Sequence, residues 1–140
     1  MSTATIGPPH SVGSVSAEGF VEVVLRERFG TDFRRVSPYR MMFESSKVLV
    51  YFQNFNKETD HLWYRITENP WRVLTSSKKE AWVCLTNPAE RFAYIIPVEA
   101  IQSCVMRTRW SRTFLEINID PASSRWTEFD WRIEKYLAHF

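Results

Sequence analysis

A mixed α+β domain, with a central mixed sheet of about five to six strands and helices packed on it, is the fold this sequence predicts. Two observations predict it. Apolar residues recur at helical spacing near the N-terminus, but from residue 47 onward they gather into short β-branched and aromatic runs or alternate with polar residues. Prolines and polar clusters punctuate these runs, and no repeat or linker divides them. The chain has 140 residues, 44% of them hydrophobic, which is enough for one core that needs neither metal nor disulfide.

Residues 1–15 combine small and polar residues with Gly7, Pro8, Pro9 and Gly13 and read as a flexible tail, dispensable for folding. Residues 16–140 then form a single globular domain. Ser16 is placed to cap a helix whose Phe20, Val21, Val24, Leu25 and Phe29 make one apolar stripe, with Gly30 as its stop. A short strand is expected from Arg40 to Glu44. After Ser45 and Ser46 comes KVLVYFQNF, whose unbroken apolar character suits a strand covered on both faces. HLWYRI alternates Leu62, Tyr64 and Ile66 against Trp63 and Arg65, and the polar FNKETDH before it predicts a hairpin of these two strands joined by a long loop.

Asn69 and Pro70 open a short helix that runs out in SSKKE. AWVCLTN and RFAYIIP flank NPAE, where Pro88 suits the second position of a type I turn, so a second hairpin is expected. Pro97 begins the helix PVEAIQSCVM, followed by the polar RTRWSR and a strand FLEINID with Leu115, Ile117 and Ile119 on one face. Thr127 with Asp130 resembles a capping box, and Phe129, Ile133, Leu137 and Phe140 at helical spacing predict a last helix. The order is α, three strands, α, two strands, α, strand, α.

The net charge of +2 does not by itself imply a polyanionic partner, but the charges are unevenly placed. Residues 26–47 hold six bases and three acids, residues 105–115 three arginines and no acid, and residues 116–140 five acids and three bases. In RTRWSR, Arg107, Arg109 and Arg112 can each pair with phosphate oxygens while Trp110 offers a stacking face to a base. The competing reading folds Trp110 back on the core and pairs the arginines with Glu116, Glu128 or Glu134. Trp63 and Arg65, opposite the apolar side of their strand, extend the candidate surface. Trp71, Trp82, Trp126 and Trp131 read mainly as packing.

Cys84 and Cys104 sit in apolar surroundings without a CxxC pair and read as buried free thiols of a reducing cytoplasm. No apolar run is long enough to cross a membrane and residues 1–16 lack a signal-peptide pattern, so an unexported cytoplasmic protein is expected. Asp60, His61 and Glu58 could group at a hairpin mouth, but adjacent strand residues point to opposite faces and a polar loop tip explains them. His10 and His139 have no companion, and no nucleophile motif of the GxSxG kind occurs. No catalytic residue, metal or cofactor is assigned.

The stretch KVLVYFQNFNKETDHLWYRI, followed by AWVCLTNPAERFAYIIPVEAI, resembles small modules that accompany bacterial restriction and other DNA-processing proteins. The α-β-β-β-α-β opening is similar to the element order of the PD-(D/E)XK nuclease core. That resemblance implies a nucleic-acid setting. Such a nuclease needs an acid near one strand end and an acid-x-lysine on the next, to hold Mg²⁺ and position water. Here Asp60 precedes HLWYRI, which lacks that motif, and Glu44 is followed two residues on by Ser46. The reading is therefore a nucleic-acid-binding module of a DNA- or RNA-processing system, non-catalytic by itself, with Arg107, Arg109, Trp110, Arg112, Trp63 and Arg65 as contacts. The alternatives are a divergent Mg-dependent nuclease using Glu22, Glu44 or Asp60, and an adaptor that binds protein or a small ligand through its aromatic surface. The oligomeric state stays open.

Overall fold

The computed structural model describes residues 16–55 and 62–140. It is a mixed α+β structure of three α-helices, a six-stranded mixed sheet and a second sheet of four strands. The predicted flexible tail, and the Glu58, Asp60 and His61 group, lie outside the described residues.

Helix α1 spans Ala17–Arg28. The Ser16 hydroxyl oxygen accepts from the Gly19 N–H at 3.0 Å, satisfying one of the helix's orphan donors. Gly30, at φ +123°, takes the chain out of the helix in a conformation that side-chain-bearing residues avoid. The strands are β1 (Arg34–Arg35), β2 (Met42–Glu44), β3 (Val48–Asn54) and β4 (Leu62–Ile66), the first of which the sequence reading did not anticipate. Helix α2 (Glu68–Ser76) begins one residue before the expected Asn69, with Pro70 in the first turn, where its missing N–H costs no hydrogen bond. Strands β5 (Glu80–Asn87) and β6 (Phe92–Pro97) form the expected hairpin, its turn held by Glu90 N–H donating to Asn87 Oδ1 at 3.2 Å. Helix α3 covers Val98–Thr108, and β7 Leu115–Asp120. The short strands β8 (Arg125–Trp126), β9 (Trp131–Arg132) and β10 (Leu137–His139) complete the chain.

The large sheet has the order β1-β2-β3-β5-β6-β10, antiparallel throughout except for the parallel pair β3/β5. The small sheet, β4-β7-β8-β9, is antiparallel. The predicted β3/β4 hairpin does not form. Strand β3 pairs with β5, while β4 pairs with β7, Trp63 opposite Asn118 and Arg65 opposite Glu116. The physical reason is burial. Strand β3 has apolar residues on both sides and lies in the sheet that is covered on both faces. Strand β4 buries only Leu62, Tyr64 and Ile66 and lies in the sheet with one face in water.

Two clusters hold these layers. On one face of the large sheet, Val50, Phe52, Cys84, Ala93 and Ile95 pack against Phe20, Val21, Val24 and Leu25 of α1. On the other, Leu49, Tyr51, Val83, Leu85, Tyr94 and Ile96 meet Leu62, Tyr64, Ile66, Leu115, Ile117 and Ile119 of the small sheet, with Leu74 of α2 and Ile101 of α3 in the same cluster. The buried Tyr64 hydroxyl donates to the Thr86 carbonyl at 3.2 Å, tying β4 to β5.

The predicted last helix is replaced by two 3-10 turns, Thr127–Phe129 and Glu134–Tyr136, between β8, β9 and β10. The left-handed Asp130 ends the first turn after three residues, and its carboxylate takes Arg125 rather than capping. The Thr127 hydroxyl donates to Asn118 O at 3.2 Å, so no capping box exists. Phe129, Ile133 and Leu137 still face the inter-sheet core, whereas Phe140 crosses to α1 and meets the Phe20 ring edge-on at 5.7 Å.

Candidate nucleic-acid interface

The RTRWSR segment straddles the end of α3. Arg107 lies in the last helical turn and Arg109 forms the cap in the left-handed region, at φ 56° and ψ 42°, its N–H reaching Met106 O. Cations suit this end because the last carbonyls of a helix carry its negative pole. The Trp110 N–H donates to Val105 O at 3.0 Å, which turns the chain back toward β7. Arg107, Arg109 and Arg112 are all exposed, and among the described residues none has a carboxylate within ion-pair distance.

The acids that could have neutralised them are engaged elsewhere. Glu116 faces Arg65 at 3.9 Å, Glu134 faces Arg132 at 4.0 Å, and Glu128 accepts from the Asn118 backbone N–H at 2.8 Å and from its side-chain amide. Among the described arginines nearer the N-terminus, Arg26 and Arg28 of α1 are also exposed without an ion pair, whereas three others are paired. Arg35 and Arg40 share Glu18, and Arg34 pairs with Glu44.

Trp110 does fold back. Its Nε1–H donates to Phe114 O at 2.8 Å, its ring meets Phe129 edge-on at 5.6 Å, and the Arg112 guanidinium lies 5.5 Å from its centroid. Trp110 therefore shapes the connection and is the partly buried one of the two candidate rings. Trp63 is the more exposed. It is 49% exposed on the solvent face of the small sheet and belongs to neither core cluster, while Trp126 is buried and Trp71, Trp82, Trp110 and Trp131 are partly buried packing residues.

Phe114, which the sequence reading passed over, joins the two parts of the surface. The Arg65 guanidinium sits 4.6 Å from its ring centroid and that of Arg112 5.6 Å. Two cations remote in sequence are thus held against one ring, each still able to direct N–H groups outward. Strand alternation carried the signal: with Leu115, Ile117 and Ile119 inward, Phe114 falls on the outward side.

The residues of the alternative readings are placed as follows. Glu22 is exposed on α1. Glu44 accepts from Lys79 Nζ at 2.7 Å, and this hydrogen bond, helped by the charges of Lys79 and Arg34, holds its carboxyl below the usual range. Beside it, Thr31, Asp32, Phe33, Ser45 and Ser46 line an open cleft of about 380 Å³. Among the described residues no three His, Cys, Asp or Glu side chains converge as metal ligands, and none of the helices is long and apolar enough to cross a membrane. Cys84 and Cys104 are both buried free thiols, and burial pushes the Cys84 thiol pKa well up.

The chain matches no family model, none of the curated proteins and none of the solved structures.

Proposed function

We propose that this chain is a nucleic-acid-binding module of a DNA- or RNA-processing system, non-catalytic by itself, working in the cytoplasm. The contact surface is the outer face of the small sheet together with the end of α3. The observation that carries this reading is the exposure of Arg107, Arg109 and Arg112 without carboxylate partners among the described residues. Guanidinium groups without carboxylate partners suit phosphate oxygens, which they meet with paired hydrogen bonds. The resemblance of residues 47–101 to restriction-associated modules supports the same setting.

Counterion release supplies the test. Arg107→Gln, Arg109→Asn and Arg112→Gln remove the charges, and asparagine tolerates the left-handed cap at position 109. Each lost phosphate contact should lower the slope of log affinity against log salt by about 0.7 to 0.9, so the triple variant should lose roughly two to three units. Fluorescence anisotropy with labelled oligonucleotides across a salt series measures this. A folded triple variant with unchanged affinity and slope would sink the proposal.

A further inference from the structure

Resting on that reading, we infer that the ligand is an unpaired strand and that Trp63 is the side chain on which a base stacks. A base in a duplex has both faces covered by its neighbours, and reading its edge in the major groove takes an element that fits the groove, such as a helix or a two-stranded ribbon. The surface here is the broad face of a four-stranded sheet. Among the described residues the large exposed apolar side chains are Met106, near the end of α3, and Trp63 on this sheet face, and of the two only Trp63 is a flat ring available to the π-face of an unpaired base whatever its identity.

The surroundings of Trp63 fit this ligand. Arg65, two residues along the same face, lies about 7 Å away by strand geometry and is steadied by the Phe114 ring and Glu116, so a cation for the backbone stands beside the stacking platform. Asn118 is directly opposite Trp63 in the strand register. Its side-chain N–H₂ donates to the Glu128 carboxylate, which fixes the amide orientation. The carbonyl Oδ1 has no hydrogen-bond partner among the described residues and can accept from the edge of a stacked base. Trp110, by contrast, has its N–H, one edge and the Arg112 side engaged.

The experiment compares Trp63→Ala, Trp63→Phe and Trp110→Phe in the full chain against a mixed-sequence single strand of about twelve nucleotides and the blunt duplex of the same sequence. Trp63 lies outside both core clusters, so its variants should keep the parent's circular dichroism. The parent should prefer the single strand. Trp63→Ala should weaken single-strand binding about 5- to 150-fold, as loss of one base stack implies, and leave the duplex within twofold; Trp63→Phe should restore most of the loss. Single-strand binding should also quench tryptophan emission in the parent and not in Trp63→Ala. Equal affinity for both ligands with Trp63→Ala unchanged, while binding remains salt-dependent and sensitive to the arginine variants, would overturn this inference and leave the nucleic-acid reading standing. Loss of single-strand affinity in Trp110→Phe but not in Trp63→Ala would return the stacking role to Trp110. No salt-dependent binding of either ligand would overturn both.

Discussion

Lys79 donates to Glu44 Oε1 at 2.7 Å and to Ser45 O at 2.9 Å, clamping the segment after α2 onto β2. Both side chains are partly shielded, so the pair is less screened than the exposed ion pairs around it. Because the Lys79 hydrogen bond and the neighbouring cations lower the Glu44 pKa, folding favours its charged form. The resulting stability is fully present above the ordinary carboxylate pKa and is lost as the pH falls through the depressed folded value. Glu44→Gln should therefore lower the urea midpoint at pH 7, and the difference from the parent should close as both proteins are taken into the acid range. A difference that stayed constant with pH would show that the clamp does not work through charge. Cys84 illustrates the opposite case: its apolar neighbours in the sequence already implied burial, and it lies under α1 beside Phe52 and Ile95.

At the scale of elements, α1 forms from local signals that agree with one another. Its apolar stripe faces one side of the large sheet, Ser16 caps it, and Gly30 releases the chain. Ser16→Ala should cost about 1 kcal/mol in denaturant unfolding and Ser16→Asp much less, because aspartate can accept the same Gly19 N–H. A loss from Ser16→Asp equal to that from alanine would argue against capping. The C-terminal segment shows where local signals conflict. Its apolar spacing fits a helix, yet its aromatic rings gain more from one another: Trp126 stacks near Phe129 at 4.8 Å and Trp131 at 5.9 Å, and Trp131 meets Tyr136 at 5.8 Å. Strand pairing of Trp126 with Trp131 brings those rings together, which a continuous helix would not do.

Across the whole molecule, the small sheet is secured to the large one by the shared cluster between them, and Trp126 is its largest fully buried side chain. The indole Nε1–H donates to Glu116 O at 3.2 Å, so the polar atom is satisfied while the ring fills the core. Trp126→Ala should cost about 3 to 5 kcal/mol, a large part of the stability of an ordinary domain, because transfer and cavity terms add. Trp63→Ala, on the outer face of the same sheet, should stay within about 0.5 kcal/mol of the parent. Equilibrium unfolding of the two variants tests the layer order directly; similar losses at both positions would mean that the small sheet is not one-sided.

The fold class, the α1 cap, the β5/β6 hairpin and the inward and outward faces of β4 and β7 were legible in the sequence because each follows from contacts only a few residues apart. Strand partners were not, since pairing is decided by which apolar faces meet. The unbroken run of β3 and the alternation of β4 hinted at different sheets, but the polar residues between them looked like a hairpin loop. The site divides the same way. Local composition picked out RTRWSR and placed Trp63 and Arg65 on an exposed face. Only the tertiary structure brought Arg65 and Arg112 to one Phe114 ring, left the Arg107, Arg109 and Arg112 charges without acidic partners among the described residues, and turned Trp110 inward while leaving Trp63 in water. Periodicity tells which way a side chain points from its own backbone; what it meets there depends on another element, brought in by burial of apolar surface rather than by neighbourhood along the chain.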